Sequence, residues 1–376
     1  MVIKPIVEWK NPLIRAVSYV LFYPIALLFG LSAEFRNILY DRRILKAAVC
    51  NSYIIGVGSL SVGGSGKTPL VEFLAERLAR NEAKIGVVSN GYRKKSAGTV
   101  IVSDGRKLLT DVFYGGDEAY VMAVNFLRQG LRIPVISGPD RLEAIRILEA
   151  QLHCDVVILD DAFQYRKVKK SVEFNVQDYL EYGYPFFVLP VGRLREFKKN
   201  LKRADAVIIT KSPAEFHTQR ILDRDDVPFL VSRYQPVSLG QWFNDQEIPL
   251  ETITNQKVIL FSALGYNTSF QHCAADVCAR YHAEIVRTIE FQDHRWYTRR
   301  DIQRIFNLIP EHSATNYIVL TTQKDSVKIS AEWIPKKMRE RVYFLRSEFR
   351  MDSQIQFENM IKIPHIEASN NQQAVR

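Results

Sequence analysis

The chain has 376 residues, 47% of them apolar, which is more than a single core usually holds and enough for two α/β domains. Its formal charge of +10 and pI near 9.3 point to an anionic partner, while the absence of aromatics interleaved with the basic residues excludes a nucleic-acid groove. Four cysteines, Cys50, Cys154, Cys273 and Cys278, show no C-x-x-C pairing and no metal-ligand spacing, which fits a reducing compartment.

Near the N-terminus, Val17–Ser32 is continuously apolar or weakly polar and is flanked by Lys10, Arg15, Arg36, Arg42 and Arg43. As a helix it reaches about 24 Å, short of the hydrocarbon thickness of about 30 Å, and Pro24 and Gly30 are expected to interrupt it. This predicts a membrane-seeking segment seated at the interface, with Tyr19 and Tyr23 at headgroup level and the basic flanks on anionic lipid. A buried core helix is the bland alternative; Arg15 and Arg42-Arg43 argue against it. No small-residue cleavage site follows, so a signal peptide is not expected.

Next comes an apolar strand, Tyr53–Val57, running into Ser61-Val62-Gly63-Gly64-Ser65-Gly66-Lys67-Thr68. Glycines without side chains let backbone N–H groups approach phosphate oxygens. Lys67 adds a point charge, and the Thr68 hydroxyl is suited to Mg²⁺. An amphipathic helix over Thr68–Arg80, with Leu70, Phe73, Leu74 and Leu78 on one side, supplies its positive end. The usual pattern has glycine where Ser61 stands, so the flanking strand and helix carry the reading. The loop lacks the additional lysine of the dimerising ATPases related to cell-division regulators.

Short apolar strands then follow at Ile85–Ser89, Ile133–Ser137, Val156–Leu159, Phe186–Leu189 and Ala206–Thr210, with helices over Asp117–Arg128 and Asp140–Gln151. This alternation predicts a mainly parallel sheet covered on both faces, with its site beyond the carboxyl ends of the strands. Gln235–Gln256 is polar, has no helical face and reads as a connector. A second series places strands at Val258–Phe261, Glu284–Glu290, Tyr317–Thr321 and Val342–Leu345 and helices near Thr268–Tyr281 and Thr298–Leu308. The tail Glu367–Arg376 is polar and reads as disordered. The predicted organisation is thus a membrane-associated segment over 1–47, a P-loop core domain over 48–234, a linker over 235–256, a C-terminal α/β domain over 257–350 and a polar tail over 351–376.

The acidic candidates lie where strands end. Asp155–Asp161 is an apolar strand closing on Asp160 and Asp161, the form of the motif that turns an aspartate toward Mg²⁺ beside such a loop; pattern alone leaves open which of the two faces inward. Asp117 and Glu118 open a helix, where they either complement its dipole or orient an acceptor hydroxyl. Asp293-His294-Arg295 sits between a strand and a helix, and His294 is suited to bonding a carboxylate base or steadying phosphate.

Taken together, these residues resemble the tetraacyldisaccharide 4′-kinases, the lipid A 4′-kinases of Gram-negative bacteria, over most of Leu13–Leu345. The resemblance rests on Gly58–Pro69, Gly116-Asp117-Glu118, Asp140-Arg141, Asp160-Asp161-Ala162-Phe163-Gln164, Leu189–Glu196, Asp293-His294 and Thr322-Gln323-Lys324-Asp325 in that order; Ser61 is ordinary in that family. It implies a P-loop-type α/β kinase with a mainly parallel core sheet, a smaller α/β/α C-terminal domain and an N-terminal membrane helix. The implied reaction moves the γ-phosphate of ATP to the 4′-hydroxyl of a lipid A disaccharide 1-phosphate at the cytoplasmic face of the inner membrane, with Mg²⁺ and no obligate protein partner. By the same resemblance Asp117 is the general base paired with His294, Lys67 stabilises the transferring phosphoryl group, and Ser61–Thr68 bind nucleotide. Thr68 with Glu118, Asp160 or Asp161 holds Mg²⁺, and Gln164, Arg195 and Glu196 lie near metal or substrate. The chain departs from the family at Ala162, Tyr165, Arg295 and Asn90, which puts substrate-side contacts in doubt. Two other classes compete. A nucleotide-dependent switch or metallochaperone predicts ATP or GTP turnover without a lipid product; a basic membrane-surface binding module predicts no turnover.

Overall fold

The computed structural model describes residues 5–8, 11–80, 83–180, 187–213, 216, 227–243, 246–264, 267–293, 295–310 and 316–363. The chain divides into two units, Met1–Arg233 together with Met351–Arg376, and Tyr234–Arg350. The first contains α1 (Pro12–Asp41), β1 (Tyr53–Gly58), α2 (Lys67–Ala79), β2 (Ile85–Ser89), β3 (Val100–Ser103), α3 (Val112–Gly115), α4 (Asp117–Arg128), β4 (Val135–Ser137), α5 (Arg141–Ala150), β5 (Val156–Leu159), β6 (Val172–Asp178), β7 (Ala206–Thr210) and the start of β8 (Phe229–Gln241). The strand order is β8-β7-β6-β1-β5-β2-β4-β3, parallel except for β3, which runs antiparallel to β4. Continuous apolar strands are what such a sheet demands, because both faces are covered: every residue of β2, β5 and β7 is buried. β1 therefore lies between β5 and β6, and its carboxyl end opens onto the loop before α2.

Two expectations failed here for a physical reason. Phe187–Leu189 form no strand; Val188 makes only an isolated bridge to Leu194, and Phe186 lies outside the described residues. The strand next to β1 is instead β6, whose sequence VEFNVQD breaks the apolar run with Asn175, Gln177 and Asp178, all buried. Their polarity belongs to the site end of the sheet rather than to the core.

Helix α1 is 30 residues long, about 45 Å, and passes through Pro24 and Gly30 without a break. Asn11 caps it by accepting from Leu13 N and Ile14 N, with Pro12 at the first position. Gly30 is there for closeness: a Cβ would sit 2.5 Å from the Phe197 ring. The helix is inverted relative to a soluble one. Ser18, Ala26, Gly30 and Asn37 face the protein, while Leu13, Val17, Val20, Leu21, Leu28 and Phe35 are exposed. Ala26 packs into the cluster of Leu60, Phe163, Val191 and Leu194, so the covered stripe lies beside the loop that follows β1.

Helices α2 and α4 also meet, and one contact is costly. Glu72 accepts from Asn125 Nδ2 at 2.8 Å, yet burial first, then Glu76, push its carboxyl up from 4.5 to about 7 against the pull of Asn125 and Arg128. A carboxyl raised in the folded state favours folding while protonated and loses that advantage as pH rises from about 4.5 through about 7. Glu72→Gln, which cannot ionise, should therefore gain stability over the wild type across that interval, read as a Tm difference that grows with pH and levels off above it. A constant difference would contradict the burial.

The second unit holds the rest of β8, β9 (Glu247–Ile248), β10 (Lys257–Ser262), α6 (Asn267–Arg280), β11 (Glu284–Glu290), α7 (Arg299–Phe306), β12 (Tyr317–Thr321), α8 (Gln323–Ser326) and β13 (Val342–Met351). Its order is β11-β10-β12-β13-β8, with β9 antiparallel on β8. The stretch Gln235–Gln256, read as a connector, contributes instead the end of β8, β9 and the buried Leu250 and Ile253 of this unit's core. Its polar alternation is that of a strand. After β13 the chain returns to the first unit in α9 (Gln354–Glu358), where Phe357 is buried against Phe174 at 4.8 Å and Phe73 at 6.1 Å. Residues 351–363, expected as tail, thus build core; Glu367–Arg376 lie outside the described residues.

Candidate active site

The loop Ser59–Gly66 leaves β1 through a close approach: a Cβ on Gly58 would lie 2.3 Å from Phe163 N, which presses the loop against the segment after β5. Gly63 (φ 119°) and Gly66 (φ 87°) occupy the left-handed region, and a Cβ at Gly64 would meet nothing within 4 Å. Ser61 needs no glycine. It sits in an antiparallel bridge with Leu194 and exchanges a 3.1 Å hydroxyl contact with Ser59. Val62 N donates to Arg193 O at 2.9 Å and Arg195 N to Leu60 O at 2.8 Å, so Arg193–Arg195 act as an edge strand for the loop. From the outside, loop carbonyls are held by Arg193 (Val62 O, 2.7 Å), Thr210 Oγ1 (Ser65 O, 2.6 Å) and the Lys211 ammonium (Gly64 O), itself paired to Asp178 at 2.7 Å. With these carbonyls turned outward and the N–H groups of Ser61, Val62 and Ser65 bonded to Ser59, Arg193 and Gly63, the glycine turn at Gly63-Gly64 is the part of the loop that can aim N–H groups at an anion.

Sequence reasoning did not find Arg193's role, Thr210, Lys211 or Asp178. The available signal was position: Asp178 and Thr210 end β6 and β7, and Lys211 follows, at the carboxyl ends of the strands beside β1.

Asp160 and Asp161 separate into different environments. Asp161 Oδ1 faces Lys67 Nζ at 3.5 Å and Arg195 Nη1 at 2.8 Å; burial raises its carboxyl, but Lys67 and Arg195 outweigh that and hold it well below the usual range. Asp160 is buried, and burial first, then Glu118 and Asp161, push its carboxyl upward. Among the described residues its Oδ1 has no hydrogen-bond partner, nor has Ser65 Oγ in the loop. Arg141 fixes the pair from behind, donating to Asp160 O (3.1 Å) and Asp161 O (2.7 Å) while stacking 4.8 Å over Tyr165, whose hydroxyl in turn meets the α5 cap Asp140 at 3.3 Å. Tyr165 is therefore a platform for this arginine.

Asp117 and Glu118 begin α4 after Gly116 (φ 86°), which turns the chain away from α3 beside Gly91. Asp117 is buried, and its Oδ1 accepts from Glu118 N at 3.0 Å. Gln164 and Arg195 are joined at 3.0 Å, and Gln164 Nε2 donates to Ser59 O at 3.0 Å, so both adjoin the loop. Glu196 has different contacts. Fully buried, it accepts from Arg36 and Asn37 of α1 (3.3 and 2.7 Å) and from Arg203 (2.8 Å), the contacts of a helix anchor. In the second unit Arg295 pairs with Asp301 at 3.0 Å in the capping box of α7; His294 lies outside the described residues.

The donor set fits a small hard cation. Glu118 is near enough to help push the Asp160 carboxyl upward, one Asp160 oxygen has no partner among the described residues, and the Thr68 hydroxyl follows Lys67 in the chain. No cluster of three or more His, Cys, Asp or Glu that could hold a metal ion occurs among the described residues.

A glycine turn ending in lysine and threonine between a central parallel strand and a helix, with an aspartate pair after the neighbouring strand, defines a P-loop nucleotide-binding fold. Within that class the chain belongs to the family described as Tetraacyldisaccharide-1-P 4'-kinase, which matches residues 18–363. It is 32% identical to the Tetraacyldisaccharide 4'-kinase of Halothermothrix orenii over 328 residues, 82% of each chain. It is 31% identical to that of Aquifex aeolicus over 341 residues, 90% of this chain and 96% of the relative. A crystal structure of LpxK from Aquifex aeolicus in complex with ATP superposes with a TM-score of 0.70 at 28% identity, covering 92% of this chain and 98% of that one.

Proposed function

We infer that this chain is an ATP-dependent lipid kinase that phosphorylates the 4′-hydroxyl of a tetraacyldisaccharide 1-phosphate, the precursor step of lipid A biosynthesis that forms lipid IVA. The observation that carries the reading is the family match spanning the loop, the aspartate pair and the head of α4 together. In this account the loop Ser61–Thr68 binds the phosphates, with the glycine turn Gly63-Gly64 and the start of α2 supplying N–H groups, and Lys67 turns from Asp161 toward the transferring group. Asp161 keeps Arg195 and does not follow the lysine. Asp117 accepts the proton of the acceptor hydroxyl as its oxygen bonds to the γ-phosphorus and the bond to the departing ADP breaks. Thr68, Asp160 and Glu118 would hold Mg²⁺, with Asp161 committed to its cations; the ion neutralises charge on the β- and γ-phosphates. Gln164 and Arg195 support the loop and Asp161. Electrostatic positioning supplies most of the acceleration.

The exposed apolar face of α1 supports seating at the cytoplasmic face of the inner membrane. Its 30 residues are long and apolar enough to cross a bilayer, and the protein-facing stripe from Ser18 to Asn37 is what favours a helix lying along the enzyme. Replacing Val20 and Leu28, exposed by 80% and 67%, with glutamate should move the protein from membranes to the soluble fraction without disturbing Ala26, Gly30 or Asn37. Unchanged sedimentation with membranes would contradict the seating. For the reaction, the test is incubation with γ-labelled ATP and a lipid extract followed by chromatography of the lipids. A labelled lipid is expected; nucleotide turnover with no labelled lipid favours a switch.

A further inference from the structure

Glu72, raised to a costly position by burial, has no place in the chemistry described so far. It belongs to a row. Thr68, Glu72 and Glu76 recur every four residues on α2, and Glu118, Met122, Asn125 and Gln129 follow helical spacing along α4 and its cap, so each set forms one face. The rows are joined twice, Asn125 Nδ2 to Glu72 at 2.8 Å and Gln129 Nε2 to Glu76 at 2.6 Å, each across a separation of 53 residues. Equal separations mean that the helices run parallel and in one register.

We propose that Glu72 and Asn125 are a positioning pair for phosphoryl transfer, their hydrogen bond fixing the axial register of α4 on α2 and thereby the place of Asp117 relative to Lys67 and Thr68. This rests on the reading of Asp117 as base. With a rise of about 1.5 Å per residue, Thr68 lies about 6 Å ahead of Glu72, and Glu118 about 10.5 Å ahead of Asn125. The acidic head of α4 therefore overhangs the threonine by about 4 to 5 Å, the reach of a phosphoryl group. An apolar pair would hold the helices together at lower cost but would tolerate sliding; a directional bond from an amide to a carboxylate does not. A shift of about 1 Å at a reacting group is enough to lose about 100-fold in rate.

The test uses the full-length protein in detergent, with kcat, KM for ATP and equilibrium ATP affinity measured for a reciprocal pair. Asn125→Asp sets two carboxylates together, and kcat should fall by about 30-fold or more while the affinity for ATP measured without Mg²⁺ stays within about 3-fold, because the phosphate cradle lies between β1 and the start of α2 and takes no group from α4. Glu72→Gln keeps an acceptor and should lose less than about 5-fold. The double variant Glu72→Gln/Asn125→Asp rebuilds the bond with donor and acceptor exchanged and should recover kcat to within about 5-fold of the wild type. Asn125→Asp with kcat within about 3-fold of the wild type, or a folded double variant that fails to recover, overturns the pair; so does a parallel loss of ATP affinity. If Asn125→Asp does not fold, Asn125→Leu replaces it, and wild-type kcat there overturns the pair equally. Asp117→Asn is measured alongside. Wild-type kcat in that variant removes the base reading and the pair with it, whereas an inactive Asp117→Asn beside a fully active Asn125→Asp removes the pair alone.

Discussion

Lys67→Ala is expected to lower kcat for phosphoryl transfer by about 1,000-fold or more while the protein remains folded. The second half of that expectation comes from Asp161. Taking a cation from a buried carboxylate usually destabilises a fold strongly, but Asp161 is only part-buried, keeps Arg195 at 2.8 Å and has Arg141 donating to its carbonyl at 2.7 Å. On the proposed reading the ammonium is dispensable to the ground state and needed where negative charge develops between donor and acceptor. A thermal melt close to the wild type with transfer lost is the predicted pair of results; undiminished transfer would remove Lys67 from the chemistry.

Asp117→Ala should lower kcat by about 100- to 10,000-fold and leave KM for ATP nearly unchanged, as expected when a proton acceptor is lost and the nucleotide cradle is kept. Asp117 lies on α4, whereas the loop N–H groups and Lys67 belong to β1 and α2, so truncating it subtracts no phosphate contact. A variant with raised KM and normal kcat would instead make Asp117 a binding residue. Activity measured against pH separates the cases further: loss of a base removes the acid limb of the profile, and loss of a binding group leaves it in place.

The parts of this site legible in the sequence are those whose chemistry forces local spacing. A phosphate cradle needs glycines, a lysine and a hydroxyl within one turn, and Asp160-Asp161 close an apolar run that can only be a buried strand. Legibility ended where one residue serves another far away. Lys211, Thr210 and Arg193 hold carbonyls of the loop across more than a hundred residues, and nothing local marks them. Asp160 and Asp161 were indistinguishable as letters; the positive φ of 49° at Asp161 and its two cations divide their roles. The resemblance put Glu196 near metal or substrate together with Arg195, whereas its contacts in the structure are with α1 and Arg203. Successive side chains of an extended segment point to opposite sides, which sends Arg195 to the loop and Glu196 to α1. Polar β6 and the strand inside Gln235–Gln256 were missed for a related reason. The apolar-run criterion finds strands of the core and overlooks those whose side chains serve the site or a polar face.

The N-terminal helix shows the same boundary from the other side. Its apolar character was plain, but its length and seating depend on small residues. Gly30, expected to break the helix, is where any side chain would collide with the Phe197 ring, a Cβ there lying 2.5 Å from it. Removing α1 entirely would strip Asn37 and Arg36 from the buried Glu196 as well as remove the face proposed to meet lipid, which is why outward-facing substitutions test membrane seating more cleanly than deletion.

The central claim is that the loop, Asp160-Asp161 and Asp117 serve one transfer from ATP to a sugar hydroxyl. It is tested most directly by ³¹P NMR of purified full-length protein turning over ATP with tetraacyldisaccharide 1-phosphate. A new phosphate monoester coupled to the 4′ proton of the sugar, formed in equal amount with ADP, is the predicted result. ADP accompanied only by inorganic phosphate, with the lipid unchanged, would contradict it.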